Sequence, residues 1–272
     1  MTEPAFRALC VSAHPDDVEF GCAGTLATWA DEGAEVTMCI VTDGSTGTQD
    51  RTLMGEGLRD VRRKEAEAAA RVIGADEVVW LDYRDGYVEY SLDLRRDIAA
   101  VFRRVRPHRY VVMDPTPTAD NRYVNHPDHR AVGQASLDVV LTAGTTPGHF
   151  PELLEQGLEP WRGLRELYMM GPGNRPVPVD ISSTIDRKIQ ALLCHRSQVG
   201  DDAERISGWL RRRAADLGGE HGLDYAEVFQ VIVQGPGFHP DEWTDEIGFE
   251  VLVPVEHDPR AAPARRGSGR AE

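Results

Sequence analysis

The order in which apolar runs and amphipathic helices alternate restricts this chain more than any other feature. "AFRALCVSA" is a short apolar run suited to a buried strand. The "GTLATWADEGA" that follows repeats Leu26, Trp29 and Ala30 at helical spacing before Gly33 ends it. The theme recurs: "EVTMCIVT" reads as a strand, "EGLRDVRRKEAEAAARVIG" as a helix closed by Gly74, and "EVVWLDY" as a strand. "SLDLRRDIAAVFRRVRP" then reads as a helix and "RYVVMDP" as a strand. Parallel neighbours need crossovers, and crossover helices cover the faces of the sheet they connect. The expected fold is therefore α/β, a Rossmann-like, mostly parallel sheet with helices on both faces and ligands at the carboxyl ends of the strands.

The C-terminal third continues with less regularity. "GLRELYMMG" and "NRPVPVDIS" read as strands, Ser183 or Thr184 as the cap of a helix running through Ser197, "DDAERISGWLRRRAADLG" as another helix, and "YAEVFQVIVQG" as a last strand. No run of Pro, Ser or Gly divides the chain, so a single domain is expected over residues 1–256. From His257 the composition turns to Pro, Ala, Gly and Arg without apolar period, and 257–272 reads as a disordered tail.

If Phe6 to Ser12 is the first strand, "HPDD" puts His14, Asp16 and Asp17 in the loop at its carboxyl end. Asp43 to Thr46 follow the second strand, Asp82 to Asp85 the third, and Asp114 and a long loop to His129 the fourth. That loop contains "NHPDHR". Pro127 suits a first helical turn, so His126 and His129 can project from one helical face toward the first loop. Nitrogen and oxygen donors without thiolate suit Zn(II), and a catalytic zinc site takes three protein ligands. The surplus of carboxylates and imidazoles leaves groups free to move protons. The segment from Thr142 to Trp161 follows this helix, and it is expected to flank the pocket and select substrate.

Composition removes other classes. A formal charge of −15 repels phosphate backbones, and the basic "LRRRAAD" reads as a solvated helix face, so nucleic acid is not the expected partner. No stretch reaches the roughly 18 apolar residues of a membrane helix, and the first residues lack a signal-peptide pattern. Cys10, Cys22, Cys39 and Cys194 show no C-x-x-C pairing and read as free thiols, in keeping with a cytoplasmic chain acting on a small molecule.

"AHPDDVEFGCAGTL" together with "HPDHR" resembles the PIG-L/LmbE-like family of zinc-dependent de-N-acetylases, whose members include enzymes acting on N-acetylglucosaminyl inositols and malates. The resemblance extends to "RRKEAEAAARVIG" with its R-x-x-E helix, to "DYRDG", and to "KIQALLCHRSQ", and it spans roughly Leu9 to Gln198. It implies that His14, Asp17 and His129 hold one zinc per chain. It also implies that Asp16 is the general base toward the attacking water, and that His126 serves the oxyanion and the leaving amine. Arg62 and Asp85 match positions that hold sugar hydroxyls. Glu19 stands where an acidic residue one place earlier is commoner, and Tyr123 lies three residues before His126, a spacing that departs from the family's assisting tyrosine.

The implied function is removal of an acetyl or other small acyl group from the amine of an N-acylated amino sugar. Cleavage of a larger thiol-conjugate or natural-product amide is the alternative within that chemistry. A metal-stabilised binding protein without turnover is the alternative outside it, and it calls for four protein ligands and no spare base. Phosphoester hydrolysis calls for a two-metal cluster and basic phosphate contacts. Taken singly, Asp16 or Asp17 can instead cap a helix starting near Gly21, and Asp128 can simply favour a helix dipole. Arg62 can pair with Glu65, and His195 can be a packed core histidine as readily as a pocket residue. His108, His149, His221, His239 and His257 show no ligand spacing.

Overall fold

Residues alternate strictly along the first strand, β1 (Arg7–Ser12): Leu9 and Val11 are buried on one face of the sheet, Ala8 and Cys10 on the other. Burial on both faces is what a strand covered by helices front and back requires. The computed structural model describes residues 4–117, 124–171, 173–200 and 202–233. After β1 come α1 (Asp17–Gly21), α2 (Ala23–Asp31), β2 (Glu35–Thr42), α3 (Glu56–Ile73), β3 (Glu77–Tyr83), α4 (Leu92–Val105) and β4 (Arg109–Val112). They are followed by α5 (Pro127–Asp138), a π-helical turn (Val139–Ala143), α6 (Pro151–Glu155), β5 (Glu166–Met170), β6 (Pro176–Asp180), α7 (Ile185–Leu193), α8 (Arg196–Val199), α9 (Ala203–Gly219) and β7 (Ala226–Val233).

The strands form one sheet in the order β3-β2-β1-β4-β5-β7-β6. The first five are parallel, and β7 is antiparallel to both β5 and β6. Chain order reverses between β1 and β4. A crevice therefore opens there at the carboxyl ends of the strands, and the segments after β1 and β4 flank it.

One apolar layer packs α4, α5 and the π-helical turn on the sheet through Leu94, Ile98, Phe102, Val132 and Val139. The opposite layer packs α2 and α3 through Leu26, Trp29, Ala69 and Ile73. Each such aliphatic or aromatic side chain contributes about 1.5–3 kcal/mol on burial. Gly133 lets α5 lie on the chain just past β4, where a Cβ would meet the Met113 carbonyl oxygen at 2.6 Å. That close approach fixes the height of His129 one helical turn earlier.

Three local expectations change. The helix after β1 begins at Asp17 and breaks at Cys22 instead of starting near Gly21, and Asp16, at its cap position, makes no capping hydrogen bond. A buried pair stabilises the break: the Lys188 ammonium donates to the Phe20 carbonyl and to Glu227, whose carboxylate accepts from the Gly24 and Thr25 amides at the start of α2. The helix expected to run through Ser197 stops at Leu193 and resumes as α8, while Thr184 spends its hydroxyl on the Gly24 carbonyl rather than on a cap.

The segment from Thr142 to Trp161 is the third. It is tied to the amino edge of the sheet, opposite the crevice. The Arg103 guanidinium, near the end of α4, donates to the carbonyls of Ala143, Thr146, His149 and Leu158, and the Trp161 indole donates to the Pro107 carbonyl just before β4. A segment held there does not flank the pocket.

The described residues fall within one compact unit. The expected tail over 257–272 and the boundary before it lie outside the described residues, as does Tyr123. Among the described residues, no helix is long and apolar enough to cross a membrane.

Candidate metal centre and catalytic site

Asp17 opens α1, yet its side chain folds back to the end of β1, where Oδ2 accepts from the Ala13 and His14 amides at 3.1 and 2.7 Å. This leaves Oδ1 facing α5, 3.1 Å from His129 Nε2. His14 Nδ1 lies 3.1 Å from the same His129 nitrogen and 3.5 Å from Asp17 Oδ2. Metal bonds of about 2.0–2.1 Å in a tetrahedral site separate neighbouring donors by roughly 3.3 Å, so these three side chains have the spacing to hold a divalent ion.

The other nitrogen of His14 faces two further carboxylates, Asp128 Oδ2 at 3.2 Å and Asp85 Oδ1 at 3.3 Å. These three groups also lie close enough to share an ion. Their remaining capacity, however, is engaged: Asp128 accepts from the Gly86 and Val88 amides, and Asp85 accepts from the Thr46 amide and stands 3.7 Å from Arg62. They are built to fix the ring of His14 from behind, as a carboxylate does for a ligating imidazole. Asp128 is thus more than a first-turn carboxylate favoured by the dipole.

His126 completes the group of three imidazoles whose nitrogens approach one another within 4.8 Å. It is the N-cap of α5, and its Nδ1 accepts from the Asp128 amide at 3.2 Å. That bond assigns the proton of the neutral ring to Nε2. Burial, and then the charges of His14 and His129, hold its pKa below the ordinary histidine value.

The carboxylates divide into two kinds. Burial alone would raise Asp17, but the charge and hydrogen bonds of His129 and His14 outweigh it and hold the group well below the usual carboxylate range. Asp16 is pushed up to about 7 by burial, with Arg62 opposing and Asp17 adding to the rise. Of two adjacent aspartates, one is a permanent anion suited to a cation and the other is poised near neutrality. Burial opposes a charged His14, yet its bonds to Asp128, Asp17 and Asp85 raise it to about 12, a measure of how anionic the pocket is before any cation enters.

Arg62 and Asp85 are both buried. Arg62 does not pair with Glu65 on its own helix. Glu65 instead accepts from the amide and hydroxyl of Ser197 and so anchors α8 on α3. His195 is wholly buried, with Nε2 3.3 Å from Glu19, directly beneath the loop that carries Asp16 and Asp17. The role of Glu65 and the Glu19–His195 pair had no local signal beyond the spacing of R-x-x-E and H-x-S-Q, because both contacts join segments far apart in the chain.

A crevice at the switch point of a doubly wound sheet, two histidines and an aspartate converging on one point, and a second aspartate near neutrality define a metal-dependent hydrolytic centre. The family model described as PIG-L: GlcNAc-PI de-N-acetylase matches residues 9–140. The chain is 32% identical over 227 residues to the diacetylchitobiose deacetylase of Thermococcus kodakarensis, covering 83% of each protein. It superposes with a TM-score of 0.75 and 33% identity on the N,N'-diacetylchitobiose deacetylase of Pyrococcus horikoshii solved with its inhibitor, covering 88% of both chains. A 4-oxalmesaconate hydratase of Pseudomonas putida is 28% identical, with 85% of this chain and 91% of that protein covered. The chain belongs to the PIG-L de-N-acetylase family, and it is an amide-hydrolysing enzyme of that family.

Proposed function

We propose that this chain removes an acetyl or other small acyl group from the nitrogen of an N-acylated amino sugar, using one Zn(II) held by His14, Asp17 and His129. The observation that carries the reading is the division of labour at "HPDD": Asp17 meets His14 and His129 at ligand spacing, while Asp16, one residue away, turns out of that set and sits near neutrality. A closed structural site for a binding protein would not keep such a carboxylate beside it. Bound there, the ion would polarise the amide carbonyl and make a water acidic at neutral pH.

The residues of the chain do the rest. Asp16 accepts the proton as the water oxygen bonds to the acyl carbon. His126, with its proton on Nε2, donates a hydrogen bond to the oxygen that becomes an anion. The C–N bond then breaks, the leaving nitrogen takes up the proton held by Asp16, and the products are a free amine and a carboxylic acid that releases its proton to solvent. The match to deacetylases of N-acetylated sugars supports the substrate class. The hydratase among the relatives makes addition of water to a carbon–carbon double bond the competing use of such a centre. We further assign the chain to the cytoplasm, where thiols stay reduced, as its four free cysteines favour.

The test is a panel of N-acetylated amino sugars, including diacetylchitobiose, assayed for released primary amine after chelation and again after zinc is restored. Amine release that returns with zinc supports the reading. A zinc-loaded protein that releases none, yet hydrates an unsaturated dicarboxylate, overturns it.

A further inference from the structure

The segment "KIQALLCHRSQ" makes three polar contacts with α1 and α3, and the proposed chemistry uses none of them. Lys188, on α7, donates to the Phe20 carbonyl in α1. Ser197, on α8, is held on α3 by Glu65 through its amide and its hydroxyl. Between them His195, the N-cap residue of α8, puts Nε2 3.3 Å from Glu19 Oε2 in the middle of α1.

Glu19 and His195 are 1% and 0% exposed, and each is the other's one ion-pair partner among the described residues. Burial alone would lower the pKa of this imidazole, but the hydrogen bond and charge of Glu19, and then the charge of Asp16, raise it. A buried ion pair adds little stability over an apolar pair of the same volume, so stability does not account for it. What an apolar pair lacks is direction: a carboxylate facing an imidazole fixes how the helix that carries it is turned.

The turn it fixes is the one that starts at Asp16. A helix of five residues, as α1 is, does not hold itself. Asp16 stands at φ 133° and ψ −18°, a conformation that L residues rarely adopt and that persists only where the surroundings over-determine it. Its carbonyl accepts from the Glu19 amide at 3.0 Å and from the Phe20 amide at 3.2 Å, so its backbone follows the turn that Glu19 anchors. Asp17 has a separate hold, with Oδ2 on the Ala13 and His14 amides. A rotation of α1 therefore displaces the Asp16 carboxylate before that of Asp17.

We infer that Glu19 and His195 are positioning residues for the general base: their contact fixes the rotation of α1 and with it the place of the Asp16 carboxylate. The inference rests on the proposed reading of Asp16 as the proton acceptor. It requires a loss in turnover, not in binding or metal content, and a loss that depends on Asp16 being present.

The experiment removes the direction and keeps the packing. In the zinc-loaded protein, the double variant Glu19→Leu/His195→Leu leaves no unpaired charge in the core. Its kcat should fall by about tenfold while KM stays within about threefold and metal content is unchanged. A reacting group misplaced by about an ångström can lose about 10²-fold, but Arg62, 3.2 Å from Asp16 Oδ2, still limits the displacement. Glu19→Gln/His195→Gln, which restores a directed hydrogen bond without charge, should recover most of the loss. In an Asp16→Asn background the Leu pair should cost less than about threefold, since residues acting through one step are not additive. Glu19→Met alone, which leaves only a neutral imidazole behind, covers the case in which the Leu pair does not fold, and the same fall in kcat is expected of it.

Wild-type kcat in these variants, a rise in KM with kcat retained, loss of the metal, or an equal fall in the Asp16→Asn background would overturn the inference. If the wild-type protein releases no amine from any N-acetylated sugar, the proposed function fails separately. A crystal structure of the Leu pair or of Glu19→Met then decides the present point: an Asp16 carboxylate displaced by about an ångström or more, with Asp17 in its wild-type place, upholds it, and an unmoved Asp16 sinks it.

Discussion

His14 and His129, 115 positions apart in the chain, bring Nδ1 and Nε2 within 3.1 Å of each other, while the far side of the His14 ring rests against Asp128 and Asp85. One imidazole thus belongs to two clusters through its two nitrogens, and the clusters make different predictions. If the Nδ1 side holds the ion, His14→Ala, Asp17→Ala and His129→Ala should each abolish stoichiometric metal. Asp128→Asn should keep the ion but weaken its retention by about 10–100-fold, the usual scale for a carboxylate behind a ligating histidine. Metal analysis after competition with a graded chelator measures both. Retention by Asp17→Ala with loss from Asp85→Ala and Asp128→Ala would move the ion to the other cluster.

Asp16→Asn separates base from ligand. The variant keeps shape and loses basicity, so metal content should be normal and kcat should fall by about 10²-fold or more. Burial raises Asp16 to about 7, against the pull of Arg62, and the working form is the carboxylate. A cation held by the neighbouring Asp17 would favour the Asp16 carboxylate, so wild-type kcat/KM should decline on the acid side of about 7, and Asp16→Asn should lose that limb. An unaltered limb in the variant would show that another group accepts the proton.

The sequence made the sheet, its switch point and the convergence of "HPDD" with "HPDHR" legible, because apolar period and chain order are local signals and the position of a crevice follows from topology. What it left open depended on where side chains turn. Asp17 abandons the start of α1 to bond the Ala13 and His14 amides, and nothing in "PDD" distinguishes that aspartate from its neighbour. Arg62 and Glu65 sit at pairing distance on one helix, yet each is claimed by a remote loop, Pro15 to Asp16 in one case and Ser197 in the other. The segment from Thr142 to Trp161 was misplaced because leaving the helix that carries His129 says nothing of which end of that helix one leaves from. Asp138, the last residue of α5, still meets Tyr90 and Arg95 beside the start of α4, and the π-helical turn after it brings Ala143 to Arg103 near the end of α4.

Asp85 should be visible in acid unfolding. Burial alone would raise its pKa, but the His14 hydrogen bond and charge, the Thr46 amide and Arg62 bring it to about 2. A folded pKa below the unfolded value of about 3.9 means that its stabilisation is complete above about pH 4 and is lost as pH falls through about 2. In the chelated protein, where His14 is free to carry the opposing charge, Asp85→Asn should lower stability at pH 5 to 7 and flatten its decline between pH 4 and 2. Denaturant midpoints across that range measure it, and parallel curves for wild type and variant would remove Asp85 from the acid transition.

Arg103 tests whether the segment from Thr142 to Trp161 takes part in catalysis. Arg103 is 2% exposed, and the carbonyls of Ala143, Thr146, His149 and Leu158 all accept from it, so replacing it strands the buried Ala143 carbonyl and removes a donor from three part-buried ones. Arg103→Met should destabilise the protein by about 2–4 kcal/mol, since each unsatisfied buried group costs roughly 1–3 kcal/mol and relaxation or water recovers part of the sum. For a chain of this length that corresponds to a fall in Tm of roughly 5–15 °C. The site lies at the carboxyl ends of β1 and β4, while these contacts gather at the amino edge, beside Pro107 and the end of α4. Kinetics measured well below the lowered Tm should therefore show kcat and KM within about twofold of wild type, as expected for distant, independent sites. Trp161→Phe, which removes the bond to the Pro107 carbonyl and shrinks the ring beside Arg7, Arg106 and His108, should behave the same way with a smaller stability loss. A KM raised about tenfold in either variant at full metal content would return the segment to the pocket.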